Sequence, residues 1–210
     1  LEVTPRPIII KPVDEVKVYD DTDLIPVNFE YTQESQYLLV DGHNISLDYI
    51  GSIRNVGIES SLIDDKTIKI ENGTEDVTQN YSIVTVPGQL EITPRPITIE
   101  TGTSIKMYDG NELVNSLYSI IEGTLVTGHI IDCYDFNNPI NVGIHDNTVS
   151  VKIENTEGDV TSNYDISFDH GTLEIRLRPI TIKPVDEVKV YDGVYYEASN
   201  VELALSSEND

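Results

Sequence analysis

Apolar and polar residues alternate in short runs along this chain, and a two-residue period of this kind predicts β-strands. In a strand, successive side chains point to opposite faces, so alternation over four to seven residues indicates a strand with one buried face. The runs are centred on Ile8 and Ile10, Val16 and Val18, Ile68 and Ile70, Ile83, and Leu90 and Ile92.

Turn-forming pairs separate these runs, and helical periodicity is weak. Asn72-Gly73, Asp109-Gly110 and Asp192-Gly193 are pairs that accept positive φ, and they predict tight hairpins. Only residues 32–40 and 113–121 show a helical period, and both stretches are short for a stable helix. The pattern therefore predicts an all-β protein.

A segment of more than eighty residues recurs along the chain. Its clearest marker is PRPIII at residues 5–10, PRPITI at 94–99 and RPITI at 178–182. The interval is 89 residues from Pro7 to Pro96 (96 − 7) and 83 residues from Pro96 to Pro179 (179 − 96). A fixed period of this size is typical of tandem modules. We predict a first module at 1–92, a second at 93–175 and a partial third at 176–210, whose first strand we expect to pair with or pack on the second module.

Other residues recur in step with this marker and are the predicted structural positions of the repeat. A Tyr that precedes Asp recurs as Tyr19, Tyr108 and Tyr191, and an Asn-Tyr pair recurs as Asn80-Tyr81 and Asn163-Tyr164. The Asn-Tyr pair follows a turn-rich segment and begins a strand, as in a tyrosine corner, where the Tyr hydroxyl bonds to the backbone. This feature favours small immunoglobulin-like β-sandwiches over a β-grasp-like fold. A purely apolar role for these two tyrosines in the core remains open.

The composition narrows the partners and the chemistry. The formal charge is −24, from 37 acidic and 13 basic residues, so the chain repels nucleic acid and anionic membrane surfaces. No run of about 18 apolar residues is present, so we expect no membrane insertion within this fragment. Cys133 is the only cysteine and we expect it to pack as a small apolar residue.

The ordered motifs resemble the MBG and YDG repeat domains of bacterial cell-surface adhesins. The resemblance is carried by PRPITI, then Lys-hydrophobe-Tyr-Asp-Gly, Asn-Val-Gly, Asn-Tyr-x-Ile and Gly-x-Leu-Glu-Ile, and it covers nearly the whole chain. It implies an extracellular location at the cell surface, with cell-wall or outer-membrane attachment supplied outside this fragment. The first copy departs from the pattern, since Asp21 stands where Gly110 and Gly193 stand in the other copies.

The sequence predicts no catalytic site and no cofactor. The four histidines are far apart and follow no ligand spacing, and recurrent His43 and His129 are expected to cap backbone carbonyls beside turns. Acidic clusters such as residues 20–23 leave a structural Ca²⁺ site as an alternative to solvated surface. A Lys–Asn isopeptide bond is a further alternative, with the recurrent lysines as candidates, although alternation places Lys69 toward water.

Two functions fit these observations. In the first, the modules form a rigid spacer or stalk that presents a distal binding domain, and the partners are neighbouring repeats of the same chain. In the second, the modules themselves bind host glycans or matrix proteins through tyrosines that do not recur between copies. The candidate binding residues are Tyr31, Tyr37, Tyr118, Tyr195 and Tyr196.

Overall fold

The computed structural model describes residues 2–197 and 201–205, and in this part of the chain the regular structure is almost entirely β-strand. The helical elements are two three-residue 3-10 turns, Thr78–Asn80 and Thr161–Asn163. The all-β prediction is therefore confirmed. The short stretches with a helical period, 32–40 and 113–121, contain no α-helix.

The first repeat contains ten strands that form three sheets. One sheet has the order β3-β1-β9, the second β2-β10-β6-β5 and the third β4-β7-β8. The strands are β1 Arg6–Pro12, β2 Glu15–Val18, β3 Phe29–Tyr31, β4 His43–Ser46, β5 Tyr49–Ile50, β6 Gly57–Ile63, β7 Lys69–Asn72, β8 Glu75–Asp76, β9 Tyr81–Thr85 and β10 Gly88–Thr93.

The second repeat builds the same three sheets from the equivalent strands. Their orders are β13-β11-β18, β12-β19-β15 and β14-β16-β17, so only the counterpart of short β5 is missing from the described strands. The strands are β11 Arg95–Thr101, β12 Ser104–Met107, β13 Tyr118–Gly123, β14 Ile130–Tyr134, β15 Gly143–Asp146, β16 Ser150–Asn155, β17 Gly158–Asp159, β18 Tyr164–Asp169 and β19 Thr172–Arg176. The copied sequence thus folds with a copied topology.

The register of the strands is copied as well. Thr93 in β10 lies opposite Val18 in β2, and Arg176 in β19 lies opposite Met107 in β12. Both pairings are parallel, and the residues concerned are equivalents in the repeat. Because a one-residue slip would turn every apolar side chain to the other face, a shared register shows that the two copies bury equivalent faces.

The predicted third copy begins in the same way. β20 (Ile180–Pro184) pairs antiparallel with β21 (Val201–Leu205), with Ile182 opposite Leu203. In the first repeat, β1 pairs with β3 with Ile10 opposite Tyr31. The offset is 172 residues for both partners (182 − 10 and 203 − 31), so the hairpin keeps its register. The strand paired with β20 in the described part of the chain is thus β21 of its own copy, so pairing with the second module is wrong, and packing on the second module stays a prediction.

The chain divides into two compact units. The first comprises Leu1–Ile99, Ser119–Cys133 and Val151–Phe168, and the second comprises Glu100–Tyr118, Tyr134–Ser150 and Asp169–Asp210. These bounds do not follow the repeat, since the second repeat contributes to both units. The module boundaries at 92 and 175 stay a prediction.

Each unit has its own apolar core. In the first unit, one cluster comes from the first repeat alone and contains Ile8, Ile70, Val77 and Tyr81. A larger cluster in the same unit combines both repeats and contains Tyr19, Ile92, Ile97, Ile99, Ile153, Val160 and Tyr164. In the second unit the core is Leu113, Leu173 and Ile175. The mixed cluster is the place where the two repeats are held together.

Candidate functional site

The candidate functional site is the junction between the first and second repeats, which lies entirely within the first unit. It begins at a turn that follows β2. Lys17 Nζ lies 2.7 Å from Asp20 Oδ1, and the same carboxylate oxygen accepts the backbone N–H of Thr22. Burial raises the pKa of Asp20, but the hydrogen bonds from Lys17 and Thr22 outweigh it and lower the pKa to about 2. The turn is thus fixed by an ionised aspartate.

This turn is preformed in all three copies. Lys106 Nζ lies 2.7 Å from Asp109 Oδ1, and Lys189 Nζ lies 3.0 Å from Asp192 Oδ2. The backbone N–H two residues after each aspartate donates to that aspartate, as in the first copy. The recurrent tyrosine immediately before the aspartate is therefore held at the same point of the turn each time, as Tyr19, Tyr108 and Tyr191.

Tyr19 is inserted into the second repeat. Its side chain is fully buried, with a relative exposure of 0%. Its ring centroid is 5.8 Å from that of Tyr164 in an edge-on arrangement and 6.0 Å from that of His129. An aromatic contact of this kind stabilises the folded state by about 0.5–1.5 kcal/mol beyond the contribution of the buried apolar area. Burial, together with the neighbouring Asp21 carboxylate, raises the pKa of Tyr19 to about 12, so its hydroxyl stays protonated.

The surface that receives Tyr19 is a Tyr–His corner. Tyr164 Oη lies 2.7 Å from His129 Nδ1 and accepts the backbone N–H of Val126 at 3.1 Å. The first repeat has the same corner: Tyr81 Oη lies 2.7 Å from His43 Nδ1 and accepts the N–H of Val40 at 3.1 Å. The two tyrosines are thus both core aromatics and backbone-bonded, although the backbone partner lies 38 and 41 residues upstream.

The recurrent histidines therefore have a different partner from the one expected. His43 and His129 were predicted to cap backbone carbonyls, but each pairs through Nδ1 with a tyrosine hydroxyl. His129 also uses its second ring nitrogen, Nε2, which lies 3.3 Å from Asp21 Oδ2. It therefore links the corner to the first repeat.

Asp21 holds the polar side of the junction. Its carboxylate faces His129 and also accepts hydrogen bonds from Arg54 Nε at 3.1 Å and Asn155 Nδ2 at 3.3 Å. Burial raises the pKa of Asp21, but the hydrogen bonds from His129, Arg54 and Asn155 outweigh it, and the net pKa is below its ordinary value. Asp21 thus collects groups from both repeats around one negative charge.

The backbone of Asp21 adopts a conformation that usually requires glycine. Its φ is +60°, whereas the equivalent position in the second repeat is Gly110, with φ of +83°. Aspartate tolerates the left-handed region better than most residues but still less well than glycine. The first copy therefore accepts a backbone cost at the position where it gains a carboxylate that faces the second repeat.

Asn163 and Arg95 complete the junction from the second repeat. Asn163 Oδ1 accepts the backbone N–H of Val56 at 2.8 Å, and its Nδ2 donates to Asn55 Oδ1 at 3.0 Å. Arg95 donates through Nε to Thr124 O at 2.6 Å and reaches the carbonyl oxygen of Tyr19 at 3.4 Å. Asn163 is buried and Asn80, its equivalent in the first repeat, is exposed. The junction accounts for this difference.

The five tyrosines predicted to bind ligands have varied surroundings. Tyr31 is half-buried beside Phe29 in β3, and Tyr37 lies in a cation–π contact with Arg6 at 4.7 Å. In the second unit, Tyr118 begins β13 and is partly exposed, and Tyr195 is almost fully exposed. The hydroxyl of Tyr196 bonds to Glu187. Their role in binding stays a prediction.

The other candidate chemistry has local partners. Lys69 is exposed, as predicted, and Lys152 is half-buried, and each pairs with a glutamate two residues later. Burial, followed by the charge of Asp132, raises the pKa of Cys133 to about 11, so its thiol stays protonated. Among residues 2–197 and 201–205, no three His, Cys, Asp or Glu side chains are arranged to hold a metal ion. Within the same ranges, no helix has the length and apolar character needed to cross a bilayer.

The repeat pattern predicts the recurrent tyrosines and Asn163 as structural positions, but it does not indicate the residues that bind or contact them at the junction. Asp21, Arg54, Asn55 and Asn155 were not predicted to act together. One signal was available, since the first copy departs from the Asp-Gly pattern at Asp21. A non-glycine residue at a position that favours positive φ indicates a compensating contact elsewhere in the structure.

Comparison with known protein families found no match, and comparisons with curated proteins and with solved structures found no significant match. The resemblance to MBG and YDG repeats of bacterial adhesins therefore stays a prediction.

Proposed function

We propose that this chain is a spacer region of an extracellular bacterial surface adhesin, in which successive repeats are locked to one another to give a stiff stalk. The observation that carries the proposal is the burial of Tyr19, a residue of the first repeat, against His129 and Tyr164 of the second. A flexible linker would leave such a residue in solvent.

The junction supports stiffness because it combines three kinds of contact. The ring of Tyr19 lies in an apolar cluster with residues of both repeats. The Asp21 carboxylate of the first repeat contacts His129 and Asn155 of the second, and Asn163 of the second binds the backbone of Val56 in the first. Bending at this point would expose the ring and break several hydrogen bonds together, so the junction resists bending.

Within this proposal each module is an immunoglobulin-like β-sandwich. Its short strands support this, as does the tyrosine at the start of β9 and β18, whose hydroxyl accepts a backbone N–H. That N–H lies 41 and 38 residues upstream, farther away than in the tyrosine corner of immunoglobulin domains. Spacer modules of this kind need no catalytic site, so the chain is proposed not to be an enzyme. Its acidity keeps neighbouring copies from associating nonspecifically at a crowded cell surface.

Distance measurements between two spin labels test the stiffness of the junction. Ser82→Cys and Asp165→Cys place labels at equivalent exposed positions of β9 and β18, with Cys133→Ser removing the native thiol. A stiff junction gives one narrow distance distribution, which broadens when Tyr19→Ala is added. A broad distribution in the chain that retains Tyr19 contradicts the spacer function. Tyr108→Ala is the matched control and leaves the distribution narrow.

A second candidate function is ligand binding by the modules themselves, and exposed tyrosines favour it. Tyr195 is almost fully exposed and Tyr118 is partly exposed, so their rings are accessible for stacking on a sugar. Tyr37 is also partly exposed, but Arg6 covers one face of its ring. A glycan array and a panel of matrix proteins probed with the chain separate the two functions. Specific binding that is lost in Tyr118→Ala or Tyr195→Ala supports the second function and counts against a passive spacer.

The proposed location is tested on the source cells. Antibodies raised against the chain are expected to label intact cells, and brief protease treatment of those cells is expected to remove the signal. Labelling that requires permeabilised cells would contradict a surface location.

A further inference from the structure

The second repeat carries its own copy of the inserting side of the junction, and this copy is uncovered. Tyr108 is the equivalent of Tyr19 and sits on the same preformed turn, but its relative exposure is 39% where that of Tyr19 is 0%. Val142 is the equivalent of Val56. It is 43% exposed, whereas Val56 packs against the mixed cluster of the first unit. The same elements are thus buried in one copy and open in the other.

The register of β19 brings these residues to one end of a sheet. Met107 lies opposite Arg176 and Gly143 lies opposite Ile175, on the two sides of β19. Tyr108 follows Met107 and Val142 precedes Gly143, so both lie just beyond the same end of the sheet. Ile140 is two residues from Val142 and is 42% exposed. We call these three residues, Tyr108, Ile140 and Val142, the Tyr108 face.

The Tyr108 face is more apolar than its counterpart in the first repeat. Ile140 stands where Arg54 stands, and Gly110 stands where Asp21 stands, so both members of the Arg54–Asp21 ion pair are replaced together. The backbone at Gly110 keeps its positive φ of +83° without a side chain. Because this face has an isoleucine and no ion pair at these positions, it suits an apolar partner that covers it.

The partner can be identified from the junction already described. Tyr19 is received by the Tyr164–His129 corner, by Asn163 and by Arg95 of the following repeat. The RPITI marker that includes the Arg95 equivalent occurs again at 178–182, directly after the second repeat. The hairpin that follows it, β20 with β21, keeps the register of β1 with β3.

From these observations we propose that the Tyr108 face is a docking surface for a further complete copy of this repeat, which buries Tyr108 against its own Tyr–His corner. The contact is head-to-tail, so the surface used by one copy differs from the surface it meets on the next. Contacts of this type do not close on themselves and extend an array. This inference rests on the proposed spacer function and names the partner that each repeat requires.

Hydroxyl-radical footprinting of a lengthened chain tests the inference. A second copy of residues 95–177 is inserted after Leu177, so that a complete repeat follows the repeat that contains the original Tyr108. Glu112→Asp in the inserted copy distinguishes its peptides from those of the original. The expected result is that labelling of the original Tyr108 falls from the level of an exposed tyrosine to that of Tyr19. Tyr118, with 40% exposure in the present chain, is the internal reference and keeps its labelling.

A matched variant makes the result specific. Val142→Asp in the original second repeat puts a charge on the Tyr108 face at a half-exposed position, outside the buried core. In the lengthened chain it is expected to restore the labelling of Tyr108. In the present chain it is expected to leave that labelling unchanged, which also reports that the variant is folded.

The outcomes separate this inference from the function on which it rests. Protection of Tyr19 together with full labelling of Tyr108 in the lengthened chain overturns the inference and leaves the first junction intact. Full labelling of Tyr19 in both chains overturns the spacer function itself. Protection of Tyr108 that survives Val142→Asp also overturns the inference, because the Tyr108 face would then not be the surface that is covered.

Discussion

At the scale of single residues, Asp21 illustrates a contact that offsets a backbone cost. Its φ of +60° disfavours a side chain, but its carboxylate binds Arg54, His129 and Asn155. Aspartate enters the left-handed region more readily than alanine does, and glycine enters it freely. The two contributions, backbone and carboxylate, can therefore be separated by substitution.

We expect Asp21→Ala to destabilise the chain more than Asp21→Gly does. Both variants lose the carboxylate, but alanine also keeps the unfavourable backbone, which adds about 1 kcal/mol. Urea unfolding at neutral pH measures the two free energies of unfolding. Gly110→Ala is the control for the backbone contribution alone, since no atom lies within 4 Å of a Cβ placed there. Equal stability of Asp21→Ala and Asp21→Gly would contradict this account.

Acid should weaken the contribution of Asp21. The folded state lowers the pKa of Asp21 below its ordinary value of 3.8, so the ionised carboxylate stabilises the folded state above that value. This stabilisation is lost as the pH falls through the lowered pKa. The difference in melting temperature between the unsubstituted chain and Asp21→Asn is therefore expected to be largest near neutral pH and to shrink below pH 3.8. A difference that grows on acidification would contradict the prediction.

At the scale of elements, the alternating pattern predicted most of the long strands. The runs around Ile8, Ile70, Ile83 and Leu90 all lie in strands, because each has one face in a core and a two-residue period records that burial. The positive φ at Asp109-Gly110 was also predicted correctly. The prediction of a hairpin at that pair was wrong, because β12 pairs with β19, which lies far along the chain. Local turn chemistry does not specify such distant partners.

Two backbone segments of the first repeat approach closely at Gly88, and a substitution there tests this approach. A Cβ at Gly88 would lie 2.5 Å from the carbonyl oxygen of Pro12, so one backbone segment would have to move. We expect Gly88→Ala to cost about 1–3 kcal/mol, as for other overpacked sites. Its equivalent, Gly171, approaches the carbonyl of Thr101 in the same way, and Gly171→Ala should behave alike. Urea unfolding of both variants checks this, and a neutral effect of either substitution would contradict it.

At the scale of the whole molecule, the repeat could be predicted from the sequence but the junction could not. The order of landmarks such as Asn80-Tyr81 and Asn163-Tyr164 revealed two copies, and the structure gives those copies the same sheets. Equivalent residues nevertheless differ in burial, as Tyr19 and Tyr108 do. Burial of a repeated residue depends on whether another copy covers it, and the local pattern that both tyrosines share, Lys-hydrophobe-Tyr-Asp, does not record that.

The two apolar clusters of the first unit predict which of the two Tyr–His corners depends on Tyr19. Tyr19 belongs to the cluster that contains Tyr164, and the separate cluster around Tyr81 does not include it. Truncation of a buried aromatic residue costs about 3–5 kcal/mol. Tyr19→Ala should therefore loosen the corner of the second repeat more than the corner of the first, although both corners have the same hydrogen bonds.

Amide hydrogen exchange at Val126 and Val40 tests the junction most directly. Each amide donates to the hydroxyl of the tyrosine in its own corner, Tyr164 or Tyr81, at 3.1 Å. With Tyr19→Ala, exchange is expected to accelerate much more at Val126 than at Val40, and Tyr108→Ala is expected to change neither strongly. Equal acceleration at the two amides, or an effect of Tyr108→Ala as large as that of Tyr19→Ala, would contradict the claim that Tyr19 locks the two repeats together.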